Sequence, residues 1–220
     1  MGLMGLTGVH RGRRRGITRR DPARQPYPDL VRREFHQKAP DRLWVADLTQ
    51  HATGEGWFYL GVVLDAFSRR VVGWAMGDRP TTELSVNALK MALVNRRPEG
   101  GVVHHSDHGV QYTASAFERA MCDGGVRGSM GRVGDALDNA MAESFFATVQ
   151  TELLDRRSWP TREALRSAVF EYIEVFYNRR RRHSSLGYLS PDDHERRWYT
   201  LNQASIATAT TSYDQSALSG

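Results

Sequence analysis

The sequence predicts an α/β fold in which a mixed five-stranded sheet is flanked by helices. Three apolar segments follow one another after residue 42 with turn-like residues between them, a pattern typical of an antiparallel meander. Helix-like and strand-like segments then alternate, which favours a sheet covered by helices. Hydrophobic residues make up 40% of the 220 residues and charged residues 25%, so most of the chain is expected to fold around a core.

Three strands form the predicted meander: Leu43–Thr49, Trp57–Asp65 and Arg70–Met76. The segment Gly54–Gly56 separates the first strand from the second, and Phe67–Arg69 separates the second from the third. Glycine and serine are turn residues. Because both connections are short and turn-like, neighbouring strands are expected to run antiparallel.

Helices and two further strands follow in alternation. The first helix opens at Thr81 and ends before Pro98, since proline cannot continue a helix. A strand over 101–105, a helix over 113–122 and a strand over 126–130 come next. Two longer helices complete the pattern and run from Asp138 to about Leu154 and from Thr161 to about Arg179.

Composition divides the chain into four regions: a basic arm or linker over 1–40, a core over 41–155, a helical basic extension over 156–200 and a small, polar, disordered tail over 201–220. Residues 1–40 carry a net charge of +7 and residues 41–155 a net charge of −5, while the remainder carries +3. An acidic middle between basic ends fits an acidic site that needs metal ions and is held against a polyanion.

Several classes of protein are excluded by composition. No apolar run approaches the ~18 residues of a membrane-spanning helix, and the basic N-terminus lacks the apolar stretch of a secretory signal. The single cysteine, Cys122, cannot form a disulfide within the chain, and it excludes a zinc site with two or more thiolates. A soluble protein of a reducing cytoplasm is therefore expected.

Three carboxylates are the candidate catalytic and metal-binding residues. Asp47 lies between apolar neighbours in the first strand, Asp107 directly follows the fourth strand, and Glu143 lies on the long helix. Glu143 is two positions before Phe145, about 200° around the helix axis, so it points away from the helix's apolar stripe. Taken singly, each has an ordinary structural explanation: a satisfied strand carboxylate, a turn residue and a solvated helix residue.

Together, the three carboxylates indicate a more specific function, the binding of divalent metal ions. Oxygen ligands suit hard cations such as Mg²⁺ or Mn²⁺, which keep positions open for phosphate oxygens. Two such ions per site stabilise the attacking and leaving oxygens of an in-line phosphoryl displacement. The residues themselves therefore predict metal-dependent phosphoryl transfer, with basic segments holding a nucleic-acid backbone.

Other polar residues near this site leave alternatives open. Asp65, Asp135 and Asp138 are rival ligands, although Asp65 is better explained as a turn cap and Asp138 as a helix N-cap. Adjacent residues on a strand face opposite sides, so a joint zinc site is not expected in the cluster formed by His104, His105 and His108. These histidines could instead orient Asp107 or contact a phosphate. Three further residues could contact DNA or satisfy buried polar groups: Gln111, Tyr112 and Asn139.

Two basic clusters are candidate DNA-binding elements. The first cluster has arginines that could bind phosphates and tyrosines that could stack on bases. Alternatively, it is a solvated helix end whose cations interact favourably with the helix dipole. It consists of Arg179, Arg180, Arg181, Arg182 and His183, with Tyr177 and Tyr188 flanking them. The second, in the N-terminal arm, is a DNA-binding arm or a solubilising tail and consists of Arg13, Arg14 and Arg15.

Spacing and sequence blocks connect these residues to a known family. Between Asp107 and Glu143 lie 35 residues, a D-D-35-E arrangement. Residues 105–112 (HSDHGVQY) resemble an HSDxGxQY block, 138–145 (DNAMAESF) a DNAxxESF block, and 177–191 (YNRRRRHSSLGYLSP) a YNxxRxHxxLGYxxP block. Over about residues 38–198 the chain resembles the catalytic subunit of bacterial insertion-sequence transposases, the second-frame product whose core is similar to retroviral integrase.

The resemblance implies an RNase H-like fold in which Asp47, Asp107 and Glu143 bind two Mg²⁺ or Mn²⁺ ions. It implies hydrolytic nicking of double-stranded DNA at a transposon end, followed by attack of the freed 3′-hydroxyl on another phosphodiester. It further implies a homo-oligomer on DNA, a place near the bacterial nucleoid, and fusion to an upstream-frame DNA-binding protein. The alternatives are an RNase H-like nuclease that only hydrolyses and a truncated DNA-binding remnant without catalysis.

Two features depart from the family pattern. Members usually carry a longer region with helix-turn-helix character before the core, whereas about 40 residues precede it here. Many members have tryptophan just before the Asp-Asn pair, and this chain has Leu137. End-specific recognition is therefore expected to need the upstream DNA-binding protein, while the carboxylate triad itself is complete.

Overall fold

A mixed five-stranded sheet forms the centre of the computed structural model, which describes residues 27–131 and 140–203. The strands lie in the order β3-β2-β1-β4-β5. Their bounds are β1 Leu43–Thr53, β2 Gly56–Asp65, β3 Val71–Gly77, β4 Val103–Ser106 and β5 Arg127–Met130. This arrangement confirms the predicted α/β class and the number of strands.

Strand pairing confirms the predicted meander. β2 runs antiparallel to both β1 and β3, and the β2–β3 register shifts between Val63 and Leu64. β4 lies parallel to β1, with His105 opposite Val45, and β5 lies parallel to β4. The meander therefore supplies one half of the sheet and the strand–helix alternation the other half, as crossover connections between parallel strands require.

Five helices surround the sheet in the described part of the chain: α1 Thr82–Arg96, α2 Ser115–Asp123, α3 Ala140–Glu152, α4 Arg162–Glu171 and α5 at 191–203. A π-helical segment, Tyr172–Tyr177, continues α4, and short 3₁₀ turns occur at Leu154–Arg156 and Ser184–Leu186. α1 and α4 are each capped by a threonine, Thr81 and Thr161, whose hydroxyl accepts a backbone N–H from the first turn. None of the helices in residues 27–131 and 140–203 is long and apolar enough to cross a membrane.

Hydrophobic clusters bury both faces of the sheet, and consecutive strand residues contribute to opposite faces. Trp44 belongs to the hydrophobic cluster under α1 and α2, whereas Val45 belongs to the cluster under α3 and α4. The cluster under α3 and α4 also contains Leu165 and Tyr177, which belong to the predicted C-terminal extension after residue 155. The C-terminal extension thus packs on the same core as the sheet and does not form a core of its own.

The regions predicted at the chain ends are only partly described. Residues 1–26, with most of the predicted basic arm, and residues 204–220, with most of the predicted tail, lie outside the described residues. Residues 201–203, which the sequence assigned to the disordered tail, are helical and continue α5.

The C-terminal extension is attached to the sheet by the side chain of Asn178. Its Oδ1 accepts a hydrogen bond from the backbone N–H of Val71 at 2.9 Å, and its Nδ2 donates to the Val71 carbonyl at 3.0 Å. Both Asn178 and Val71 are buried, so each bond satisfies a group that water cannot reach. The YN pair of the third sequence block therefore has a structural role that the sequence reasoning missed.

A buried ionic network joins α5 to α1 and to the turn after β2. Glu195 on α5 accepts hydrogen bonds from the Ser68 hydroxyl at 2.7 Å and from the Arg96 guanidinium at 2.7 Å. Arg96 also donates to the carboxylate of Asp41 at 2.8 Å, and Asp65 accepts a hydrogen bond from the Ser68 backbone N–H at 2.9 Å. Charged groups this deeply buried are stable only when they are paired and hydrogen-bonded, so the network fixes how α5 sits on the core.

Replacing Gly73 with alanine is expected to lower the free energy of unfolding by about 1–3 kcal/mol. A Cβ at this β3 position would lie 2.6 Å from the Ala92 backbone nitrogen and closer still to the Ala88 carbonyl oxygen, so α1 would have to move. Urea unfolding followed by circular dichroism measures the effect. Gly77→Ala in the same strand is the control, because its nearest neighbour would be the Leu84 side chain at 3.4 Å. Equal midpoints for the two variants would contradict the prediction.

Candidate active site

Asp47 lies within the central strand β1, and Asp107 directly follows β4, the parallel neighbour of β1. β1 and β4 are parallel neighbours with Val45 opposite His105, and each aspartate comes two residues further along its strand. Parallel strands advance by nearly equal distances per residue. The strand register therefore places the two carboxylates side by side where β4 ends.

The buried ring of Tyr112 lies within electrostatic range of both aspartates. Burial raises the pKa of the Tyr112 hydroxyl well above its ordinary value, and the negative charges of Asp47 and Asp107 raise it further. The ring is 2% exposed and packs against His104 and Phe117. Of the two roles that the sequence left open for Tyr112, the structure favours the buried one.

A tight turn holds the carboxylate of Asp107. Its Oδ1 accepts a hydrogen bond from the backbone N–H of Gly109 at 2.9 Å, and the Gly109 carbonyl accepts one from Tyr112 N–H at 3.0 Å. A Cβ on Gly109 would lie 2.8 Å from Asp107 Oδ1 and would also collide with the Gln111 side chain. A side chain at this position would therefore have to displace the ends of the Asp107 and Gln111 side chains, and Asp107 itself is exposed to solvent.

Glu143 lies on α3 with its side chain exposed, whereas Met141, Phe145 and Val149 face the core. Its predicted orientation, away from the apolar stripe of its own helix, is confirmed. Within residues 27–131 and 140–203, however, no three His, Cys, Asp or Glu side chains are grouped so that they could share a metal ion. The strand register thus places Asp47 and Asp107 at neighbouring positions, and the convergence of the three carboxylates on a metal ion stays a prediction.

The histidines near Asp107 have separate environments. His104 packs against Tyr112 and Phe117, whereas His105 contacts Phe35 and, through Nδ1, the Ser129 hydroxyl at 2.9 Å. The prediction that these two residues face opposite sides of the sheet is confirmed. Burial, with the neighbouring His105 as a lesser cause, lowers the pKa of His104 to about 3, so His104 is neutral.

His108 is held away from both of these histidines. Its Nε2 lies 2.5 Å from the Gly131 carbonyl oxygen. Each of the three imidazoles therefore has its own packing or hydrogen-bonding partners, and the structure contains no histidine group placed to bind zinc among residues 27–131 and 140–203.

The turn-cap interpretation of Asp65 is confirmed. One carboxylate oxygen accepts from the Ser68 backbone N–H at 2.9 Å and the other from the Asp41 backbone N–H at 2.8 Å. The side chain is fully buried, and desolvation raises its pKa to about 6. Asp135, Asp138 and Asn139, as well as the basic-arm residues Arg13, Arg14 and Arg15, lie outside the described residues.

The arginine cluster after the π-helical segment divides into two kinds of residue. Arg181 forms an ion pair with Glu152 at 2.8 Å, and the Tyr172 hydroxyl donates to the same carboxylate at 2.7 Å. These partners lower the pKa of Glu152, so the pair is charged at neutral pH, although burial opposes the shift. Arg181 is therefore held within the chain, while Arg179, Arg180 and Arg182 are exposed.

Tyr177 is not the stacking surface that the sequence suggested. It is 3% exposed and packs edge-on against Phe145 and against the ring of His183. The π-helical register turns Tyr177 into the core, because the backbone bond from Asn178 N–H reaches the carbonyl of Ile173 five residues back. Tyr188, by contrast, is 69% exposed.

The chain matches known protein families and several curated proteins. Residues 37–136 and 124–191 match two integrase core domain families. The chain is 46% identical over 164 residues to the insertion element IS600 uncharacterized 31 kDa protein of Shigella sonnei, covering 74% of this chain and 60% of that protein. It is 39% identical over 169 residues to the transposase for IS904 of Lactococcus lactis, covering 77% and 67% of the two chains.

A third relative, transposase InsF for IS3A of Escherichia coli, is 41% identical over 167 residues, which make up 76% of this chain and 58% of InsF. The chain thus spans between 58 and 67% of the length of these curated relatives.

Solved structures show the same fold at low sequence identity. The HTLV-2 integrase catalytic core domain in complex with magnesium superposes with a TM-score of 0.52 and 16% identity, covering 73% of this chain and 99% of that one. A chain of the simian T-cell lymphotropic virus intasome gives 0.52 and 19%, covering 71% and 55%. These neighbours support an RNase H-like sheet, and the curated relatives confirm the resemblance found in the sequence. The chain therefore belongs to the family of insertion-sequence transposases built on an integrase core domain.

Proposed function

We propose that this chain is the catalytic part of a transposase that cuts and joins DNA at the ends of an insertion sequence. Hydrolysis of a phosphodiester would free a 3′-hydroxyl, and strand transfer would join that hydroxyl to a second phosphodiester. The observation that carries the proposal is the register of the parallel strands β1 and β4, in which Asp47 within β1 and Asp107 directly after β4 each come two residues after the Val45–His105 pair, in a chain whose relatives are named transposases.

Asp47, Asp107 and Glu143 would hold divalent cations, Mg²⁺ or Mn²⁺, with two ions per site. Carboxylate oxygens are the ligands that these hard cations prefer, and the HTLV-2 neighbour was solved in complex with magnesium. When bound, the ions supply charge stabilisation for the phosphoryl oxygens and lower the pKa of the attacking hydroxyl group or water. Three carboxylates repel one another in the absence of a cation, so we infer that Glu143 joins the two aspartates only with metal present.

The chain's own residues fix the position of the two aspartates. Asp47 is part of a strand paired on both sides, and Asp107 is held by the Gly109 turn. The Tyr112 hydroxyl beside them keeps its proton at neutral pH, because both burial and the two carboxylates raise its pKa. Tyr112 is therefore uncharged and adds no further negative charge near Asp47 and Asp107.

Double-stranded DNA is the proposed substrate, at both the transposon end and the target. Arg179, Arg180 and Arg182 would contact phosphates, since they are exposed cations that release counterions on binding. Burial and two nearby guanidinium groups lower the pKa of His183 to about 4, so it would act as a neutral contact. We also propose phosphate contacts by Arg13, Arg14 and Arg15, a DNA contact by Asn139, oligomerisation on DNA, and fusion to an upstream DNA-binding protein.

Incubation of the purified chain with end-labelled DNA tests this function. The duplex carries the terminal sequence of the element that encodes the chain, and a supercoiled plasmid serves as target in the presence of Mg²⁺ or Mn²⁺. Denaturing electrophoresis separates nicked strands, and agarose electrophoresis detects label joined to plasmid. We expect both products, and both are expected to disappear when EDTA removes the cation.

Two results would overturn the transposase proposal. Nicking without any joined product would identify a nuclease that only hydrolyses. DNA that is bound but not cut with either cation, even when the chain is fused to the upstream-frame protein, would identify a DNA-binding remnant. The products formed, with and without the fused protein, thus separate both alternatives from transposition.

A further inference from the structure

A cavity of about 480 Å³ lies between α3, the turn after β2 and the segment that follows the π-helical residues. Most of its lining is polar, and three buried residues of the hydrophobic core contribute the apolar part: Leu64, Met141 and Phe145. Cavities of this size accommodate a small organic molecule rather than a single inorganic ion. The cavity is separate from the Asp47 and Asp107 pair, neither of which lines it.

The rim of the cavity is cationic. Arg69, Arg181 and Arg182 line it, and the lining contains no aspartate or glutamate. Arg181 is neutralised by Glu152, but within residues 27–131 and 140–203 no carboxylate forms an ion pair with Arg69 or Arg182. Arg69 lines the cavity together with Tyr177 and His183. Two positive charges are therefore available to an anion in the cavity.

The mouth of the cavity carries an exposed aromatic side chain on a constrained loop. His183 N–H donates to the Leu189 carbonyl at 3.0 Å, and Tyr188 N–H donates to the His183 carbonyl at 2.9 Å, so residues 183–189 form a closed loop. Tyr188 has a φ of 60°, a left-handed conformation that is uncommon outside glycine, and its ring is 69% exposed. Such conformations persist where the surrounding structure imposes them, and they cluster at binding sites.

We propose that this cavity binds one unpaired nucleotide of a DNA strand. The polar lining can hydrogen-bond the edge of a base, the ring of Tyr188 offers a stacking surface, and Arg69 and Arg182 suit the adjacent phosphates. A base within an intact duplex cannot enter a cavity, so the nucleotide comes from a single-stranded end or is extruded from the helix. The inference rests on the proposed function, since it assumes that DNA is the substrate.

Fluorescence anisotropy with three labelled duplexes of one sequence tests the inference: a blunt duplex, a duplex with a single-stranded overhang and a duplex with one unpaired internal nucleotide. EDTA is present throughout, so that binding is measured without catalysis. We expect at least one of the two duplexes with an unpaired nucleotide to bind about tenfold more tightly than the blunt duplex. Whichever of these two duplexes binds more tightly shows whether the nucleotide comes from a single-stranded end or from within the helix.

Four variants separate this site from general attraction to DNA. Tyr188→Ala and Arg182→Gln are expected to reduce the preference for the unpaired nucleotide about tenfold, towards the blunt value. Tyr188→Phe keeps the ring and should keep the preference. Arg180→Gln removes a neighbouring exposed charge that does not line the cavity, so it should weaken binding to all three duplexes equally.

Failure of this inference is distinguishable from failure of the proposed function. Equal affinity for all three duplexes, or a preference that survives both Tyr188→Ala and Arg182→Gln, would overturn the cavity proposal and leave DNA as the substrate. Absence of binding to any duplex would overturn both proposals. Thermal unfolding of each variant verifies that the fold is intact, and Tyr188→Phe stays informative even where the alanine variant is destabilised.

Discussion

Asp107→Asn is expected to reduce both DNA nicking and strand joining by about 10³-fold or more, because loss of a metal-binding carboxylate removes several kcal/mol of transition-state stabilisation. The substitution should leave the fold intact. Asp107 is exposed, and the amide oxygen of asparagine can still accept the hydrogen bond from Gly109 N–H. Rates of product formation with Mg²⁺ or Mn²⁺, measured beside the unfolding midpoint, test both statements.

A matched control for this variant is Asp123→Asn. Asp123 is the last residue of α2 and is also exposed, so its replacement removes one negative charge at a comparable surface position. Its nicking and joining rates should equal those of the wild type. Wild-type joining by Asp107→Asn would show that the carboxylate of Asp107 is not needed for the chemistry, and its catalytic assignment would then be wrong.

Replacing Arg96 with methionine is expected to lower the free energy of unfolding by about 3–5 kcal/mol. Arg96 is the cation between Asp41 and Glu195, and the Glu195 side chain is only 4% exposed. Removal of the guanidinium leaves that carboxylate buried with the more exposed Arg70 as its remaining cation. Urea denaturation monitored by circular dichroism and tryptophan fluorescence gives the change directly.

Arg119→Met provides the control for Arg96→Met, since Arg119 is an exposed residue within α2 and its loss should change stability by less than about 0.5 kcal/mol. The double variant Arg96→Met/Glu195→Gln should be more stable than Arg96→Met alone, because the unpaired charge has been neutralised. If Arg96→Met unfolds at the same urea concentration as Arg119→Met, the network contributes nothing to holding α5.

Much of the secondary structure was predictable because local signals agree with the tertiary packing. Thr81 caps α1 and Pro98 lies just beyond its end, and both signals act over a few residues. β1 was predicted to end at Thr49 but continues to Thr53, because a two-residue hairpin lets Thr53 pair with Gly56. The last part of β1 is polar and therefore lacks the apolar pattern from which a strand is predicted. It pairs all the same, because backbone hydrogen bonds do not depend on the side chain.

The helix predicted from Thr161 to Arg179 shows where local signals fail. α4 ends at Glu171 and a π-helical segment takes over, although the sequence of Tyr172–Tyr177 is compatible with an α-helix. The wider register brings Tyr177 into the core and lets Asn178 reach the backbone of Val71, 107 residues away in sequence. A partner so distant cannot be read from a window of neighbouring residues.

By itself, the sequence determined the fold class, the family and the candidate carboxylates, because strand and helix periodicity and the D-D-35-E spacing are properties of order along the chain. Only the tertiary structure decided which polar residues are already used: Arg181 by Glu152, Asp65 by the turn after β2, and Tyr177 by the core. It also showed that Arg69 and Tyr188 meet at one cavity. These pairings depend on three-dimensional proximity and desolvation, and distance in sequence carries no information about either.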